Sequence, residues 1–327
     1  MHDLTRQYFD ELIYAIDQNV FTIPETIIGM PGGLDKSFFK KLVNTYMARF
    51  IVNYPRNQNE SNIDWSFVKQ ISSEGIESDF TINHSFWESG DWYKEDLIYS
   101  TYPGWGRVDM RVINMMDDSY PKHNPTGADF AAPDSARIFD NAEVDDRLWT
   151  DYQYLSSNNF RPERGLYFFS SFRYDRHSDY IGPWDAILPD LTISEMDMYH
   201  AEALAMTGNL AGAAAILNDV SKARKVRGGL PDVAANKDAI MAAIHHERMV
   251  ETFLDASGSE WFEMRGKDML QKGSPLHWPI PADVLETLGF PLPYYTYGGE
   301  SAPATGNGSP DGEYWSKGTA SGAKAWR

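Results

Sequence analysis

The stretch Ala201 to Asp219, AEALAMTGNLAGAAAILND, reads as the end of one helix, a turn and the whole of a second helix. Gly208 stops the first helix and Asn209 can cap the next, whose inner face is Leu210, Ala213, Ile216, Leu217 and Val220. Upstream, Thr192 and Glu195 have the spacing of a capping box just after Pro189. The first helix therefore opens at Thr192 and turns Ile193, Met196, Tyr199, Ala203 and Leu204 inward.

Small residues at the Gly208, Leu210, Ala213 and Leu217 spacing let two helices approach closely, as in a tetratricopeptide helix-turn-helix. One such pair cannot cover its own apolar faces, so more helices must surround it. Leu4, Tyr8, Phe9, Leu12, Ile13 and Ile16 line one face of an N-terminal helix. A second helix follows Gly29, Gly32 and Gly33, which read as helix-start punctuation, with Asp35 as cap, and ends at Pro55. Further helices are expected from Asp64 to Gly75, from Val108 to Met116, from about Asp238 to Leu254 and from Pro281. A strand is read at Leu166 to Arg173, with an edge partner near Tyr152. The fold class is mostly α: tetratricopeptide-like helical repeats packed with long irregular loops and little β. Residues 1–297 form one helical domain with an aromatic loop insertion at about 80–160. Residues 298–327, of which 20 are Gly, Ala, Ser, Thr or Pro, form an extended tail.

Of the 327 residues, 47 are acidic and 29 are Lys or Arg, for a net charge of −18. So acidic a chain lacks the basic face that nucleic acid or anionic lipid needs. It has no cysteine, which removes disulfides, thiolate nucleophiles and Cys-ligated metals. No apolar run approaches a membrane span, and Met1 to Leu4 does not begin a signal peptide.

The order of several pieces resembles the SusD/RagB family: the Ala201 to Asp219 stretch, then IHHERMVETFLD, WFEMRGKDML and the closing LHWPIPADVLETLG. ARFIVNYP, DWSFVKQISSEGI and the DDRL at Asp145 to Leu148 also look like family landmarks. The resemblance implies a helical lipoprotein on the outer membrane's extracellular face. Such a protein binds an oligosaccharide, or in some branches a peptide, as a lid over a TonB-dependent, SusC-like transporter. It also implies an upstream segment carrying the lipoprotein signal and the acylated cysteine, which this chain does not contain. At Asp255 to Glu260 the chain departs from the family's compact Glu-Gly link.

The candidate ligand site is the aromatic segment. Between Phe80 and Arg107 stand eight aromatics in 28 residues, twice the chain average. An indole can cover the C–H face of a pyranose while polar neighbours meet its hydroxyl rim. Trp87, Trp92, Tyr93, Tyr102 and Trp105 supply platforms, and Asn83, Asp91 and Arg107 supply directional partners. A carboxylate-pair glycosidase would centre on Asp91, Glu95 and Asp96. No nucleophile elbow or phosphate loop is present, and no catalytic residue, metal or cofactor is assigned. Adjacent His245 and His246 point about 100° apart on a helix and lack metal-ligand spacing. Glu247 and Glu251 are read as a structural ion-pair network around Arg248, which Arg265 could join.

Overall fold

The computed structural model describes residues 2–58, 62–88, 97, 101–122, 144–156, 170–255, 258–270 and 281–290. The expected tail lies outside them, as do Asp91, Trp92, Tyr93, Glu95 and Asp96 of the aromatic segment.

The chain opens with α1 (His2–Gln18), then β1 (Thr22–Ile23), a single-turn α2 (Glu25–Ile28) and β2 (Leu34–Asp35), which pairs antiparallel with β1. Gly29, Gly32 and Gly33 belong to this small ribbon; they do not punctuate the start of a long helix. Gly29 ends α2 in the left-handed region, and a Cβ on Gly33 would stand 2.6 Å from the Ile23 carbonyl oxygen. Next come α3 (Lys36–Asn53) and α4 (Trp65–Ser73), each started as expected by an aspartate side chain. Asp35 accepts from the Phe38 amide at 2.8 Å and Asp64 from the Phe67 amide at 3.0 Å, satisfying amides that the first helical turn leaves unpaired.

β3 (Phe80–Ser85) follows, then α5 (Met110–Met116), capped by Asp109 two residues later than expected. α6 (Arg147–Thr150) leads into β4 (Tyr152–Tyr154), which pairs antiparallel with β5 (Phe172–Tyr174). The strand expected near Leu166 to Arg173 and its partner at Tyr152 are thus present, although residues 166–169 lie outside the described part. β6 (Asp185–Leu191) pairs antiparallel with β3 from Phe80 opposite Leu191 to Ser85 opposite Asp185, with a bulge between Phe80 and Thr81. This ribbon corrects the expectation of irregular structure there. The bulge and Pro189 break the period-two pattern that would have revealed it.

β6 runs straight into α7 (Ile193–Met206), and α8 (Leu210–Leu217) packs on α7 across the Gly208 turn. Gly208 has φ +87° and the Asn209 side chain accepts from the Gly212 amide, so this helical turn is as read. Val220 is not on its inner face: it lies beyond α8 and is 78% exposed. The capping box closes only by half. Thr192 accepts from the Glu195 amide at 3.2 Å, but the Glu195 carboxylate turns to Arg49, with contacts of 2.6 and 2.5 Å, and to the Tyr199 hydroxyl. The chain continues through α9 (Ala223–Val226), α10 (Lys237–Val250), α11 (Ser259–Gly266) and α12 (Ala282–Thr287). α10 stops at Val250 and not at Leu254, which is left-handed at φ +62°.

The described residues are therefore mostly helical, with three two-stranded ribbons. α7 lies between two cores. Met198, Ala201, Leu204 and Ala205 belong to one core with residues of α5, α8, α10 and the β4–β5 ribbon; Met196, Tyr199 and Ala203 belong to the other with residues of α3, α4 and the β3–β6 ribbon. A helix covered on two sides keeps only a narrow half-buried polar strip, here Ser194, Asp197 and His200, and its Glu195 and Glu202 are buried and ion-paired. α1, by contrast, seals only Ile16; Leu4, Tyr8 and Leu12 of its expected inner face are exposed.

Candidate functional site

The β3–β6 ribbon ends in an aromatic tip. Beyond the Ser85 and Asp185 pair, the Phe86 amide donates to the Trp184 carbonyl at 2.9 Å, and the Trp87 indole N–H donates to the Pro183 carbonyl at 2.9 Å. Trp87 remains 65% exposed, with its ring edge-on to Phe86 at 4.6 Å. Its position is fixed by a hydrogen bond while its face stays open to solvent.

Trp184 is the centre of this tip. The Gly182–Pro183 turn delivers it at φ +55°, an uncommon conformation for a bulky residue. Its amide donates to the Tyr180 carbonyl, its ring meets the buried Tyr180 edge-on at 5.9 Å, and Tyr102 stacks on it at 6.2 Å and 25°. A non-glycine residue held left-handed by three neighbours marks a position fixed by its surroundings. The Trp105 amide donates to the Tyr102 carbonyl, which brings Trp105, 54% exposed, onto the same turn.

Among the expected ligand residues, Trp87, Tyr102 and Trp105 thus come to one end of the ribbon with Trp184. Asn83 lies two residues inside β3, its amide donating to the Gly29 carbonyl. Arg107 turns back on its own loop, donating to the carbonyls of Pro103 and Gly106 at 2.9 and 2.8 Å. Trp92, Tyr93 and Asp91 lie outside the described residues. Sequence reasoning missed Trp184, which stands alone and far from the aromatic run. Its signal was the Gly-Pro-Trp-Asp turn at residues 182–185, placed before a stretch that pairs as a strand.

His177, three residues before Tyr180 in the chain, belongs to a buried ionic cluster. Arg147, fully buried, is held by Asp145, Glu247 and Glu251, with contacts between 2.6 and 3.2 Å. Arg176 joins Asp151, Glu251 and Asp255, Arg227 joins Asp151 and Glu251, and His177 meets Asp255 at 2.8 Å. Burial pushes the Asp145 carboxyl up, but Arg147 and His246 outweigh it and hold the group well below the usual carboxylate range. Glu247 is lowered in the same way, against burial, chiefly by Arg147. Burial keeps His246 below the usual imidazole range although it meets Asp145 at 2.7 Å. The network is real, but its centre is Arg147 and not Arg248. Arg248 leaves the opposite side of α10 to meet Glu202 and Glu263 at 2.6 and 2.7 Å. Arg265 donates to the Asn53 and Tyr54 carbonyls and lies over the Trp261 and Phe262 rings. His245 and His246 go to different carboxylates, and no cluster of three metal-ligating side chains occurs among the described residues.

The sequence model of the SusD family matches residues 107–276, a little over half of the chain. The chain belongs to the SusD family. The match takes in Trp184 and the whole Arg147 cluster, whereas Asn83, Trp87, Tyr102 and Trp105 lie N-terminal to it. Among solved structures, a SusD superfamily protein from Bacteroides vulgatus is similar at 12% identity and a TM-score of 0.46, covering 80% of this chain and 57% of that one. A SusD-like protein from Bacteroides fragilis is similar at 13% identity and a TM-score of 0.46, covering 80% and 60%. The chain thus spans less than two thirds of the length of these SusD relatives. No curated protein matches it. No helix among the described residues is long and apolar enough to cross a membrane.

Proposed function

We propose that this SusD-family chain binds an oligosaccharide at the aromatic tip, at the outer face of the outer membrane. It passes the ligand to a TonB-dependent, SusC-like transporter without transforming it. The family's general role as a nutrient-binding protein supports this reading. The observation that carries it is Trp87: an indole whose N–H is fixed to a backbone carbonyl and whose ring is left open beside the Trp184–Tyr102 stack. Such a ring offers a pre-positioned apolar face with little rotamer freedom left to lose on binding.

A glycan panel titrated against the purified chain, with affinity and product release followed together, tests the reading. Saturable binding without new products is expected, and it weakens on Trp184→Ala. Release of shortened glycans would assign the chain to a hydrolase. Binding of peptides but of no glycan would move it to the peptide-binding alternative.

A further inference from the structure

A cavity elsewhere in the molecule shares none of the tip's residues. It has a volume of about 240 Å3 and sits between the C-terminal end of α3, the N-terminal end of α4 and α11. It is smaller than the roughly 300–1,000 Å3 of drug-sized sites, so it suits a single ring. Trp65, Met206 and Phe262 give it apolar walls, and the exposed Asn62 stands beside them.

Two buried carboxylates, Glu202 and Glu263, and Lys267 provide its charged lining. The Lys267 ammonium sits 3.1 Å from Glu202 and 2.8 Å from Glu263. Arg248 closes the ring from behind, at 2.6 and 2.7 Å from the same two groups. Burial pushes Glu263 up, but Lys267 and Arg248 outweigh it and hold the carboxyl well below its ordinary value, so it is ionised. Glu202 and Glu263 are each met by both Lys267 and Arg248, and His245 Nδ1 lies 3.3 Å from Glu263, so the opposite charges of this wall are matched within it. Ionised carboxylates nevertheless keep several lone-pair positions each, which hydroxyl groups can fill.

An apolar and aromatic wall facing uncharged hydrogen-bonding capacity is the complement of a molecule with one C–H face and a rim of hydroxyls. We propose that this cavity binds one ring of an uncharged monosaccharide or cyclic polyol, as a site separate from the tip. The assignment does not depend on what the tip binds.

The test is calorimetric titration of the intact chain with a panel of neutral hexoses, pentoses and inositol, with glucosamine and glucuronate as charged comparators. Gly266 lines the cavity, and a Cβ there meets only the Pro55 carbonyl oxygen at an ordinary 3.6 Å, so Gly266→Leu fills the space without a backbone clash. At least one neutral ring is expected to saturate a site that Gly266→Leu weakens by about tenfold or more. Asn62→Ala, at an exposed position, carries the same test if the leucine variant does not fold, and is expected to weaken binding. Trp87→Ala should leave this binding unchanged. The proposal falls if no neutral ring saturates, if a charged comparator binds more tightly, if folded Gly266→Leu and Asn62→Ala both bind as before, or if Trp87→Ala removes the binding.

Discussion

Arg147 and Glu247 stand 100 residues apart in sequence and meet through two parallel hydrogen bonds, Nη1 to Oε2 at 2.7 Å and Nη2 to Oε1 at 2.9 Å, with both side chains sealed from solvent. A fork-to-fork contact of this kind is strong because both partners are ionised and planar. Removing one partner strands the other charge in the interior. Glu247→Gln and Arg147→Met are each expected to destabilise the chain by about 3–5 kcal/mol. Urea unfolding measures this, and a loss under 1 kcal/mol would show that the cluster is solvated and loosely held.

The pH dependence should be two-sided. Asp145, Glu247 and Glu263 are held below their ordinary values, so the stability they contribute is present above about pH 4.5 and is lost as acid protonates them. Glu260 runs the other way. Burial raises its carboxyl to about 8, and one of its oxygens is buried without a hydrogen-bond partner. Its protonated form favours the fold, a contribution complete below about pH 4.5 and lost as pH rises through 8. Thermal midpoints across the pH range should therefore peak on the mildly acidic side of neutral, and Glu260→Gln should flatten the alkaline decline. An identical alkaline limb in that variant would contradict the assignment.

Trp184 combines an uncommon backbone with an aromatic contact, so two substitutions separate those roles. Trp184→Gly relieves the backbone and Trp184→Ala does not, yet both remove the ring. Each is expected to weaken glycan binding by about 1–3 kcal/mol, by analogy with bases stacked on aromatic side chains. The glycine variant should be the more stable of the two. Equal affinity to the unmodified chain in both would remove Trp184 from the site.

Much of the helical frame was legible because caps are local. Asp35, Asp64, Thr192 and Asn209 each declare a helix start within three residues, and each accepts the amide that such a start leaves open. What failed was long-range. Glu195 satisfies the spacing of a capping box, but burial of α7 on both sides supplies Arg49 as a stronger partner from 146 residues away. Glu247 and Glu251 flank Arg248 in the chain, but helix phase sends that guanidinium to Glu202 and Glu263. Trp87 and Tyr102 could be picked from local aromatic density. Trp184 could not, because it reaches the tip only through the pairing of β6 with β3.

Close helix packing gives a further test. Ala213 is fully buried where α8 meets α7, and Ala213→Phe is expected to cost about 1–3 kcal/mol through overpacking. Gly75→Ala should act in the same direction, since its Cβ would stand 2.5 Å from the Met196 sulfur and 3.0 Å from the Thr45 hydroxyl. Melting curves unchanged in both variants would deny that these approaches are tight.

The ribbon has a mechanical consequence. Its two strands begin and end at opposite poles: Ser85 and Asp185 at the tip, Phe80 and Leu191 at the base, where the chain joins α4 on one side and α7 on the other. A pull applied at the tip along the ribbon axis draws on both strands in the same direction, so their ladder is not sheared. The tension passes into two helices that pack directly against each other, and beyond α7 into both cores. A load at the tip is therefore carried into the body of the protein along both strands at once.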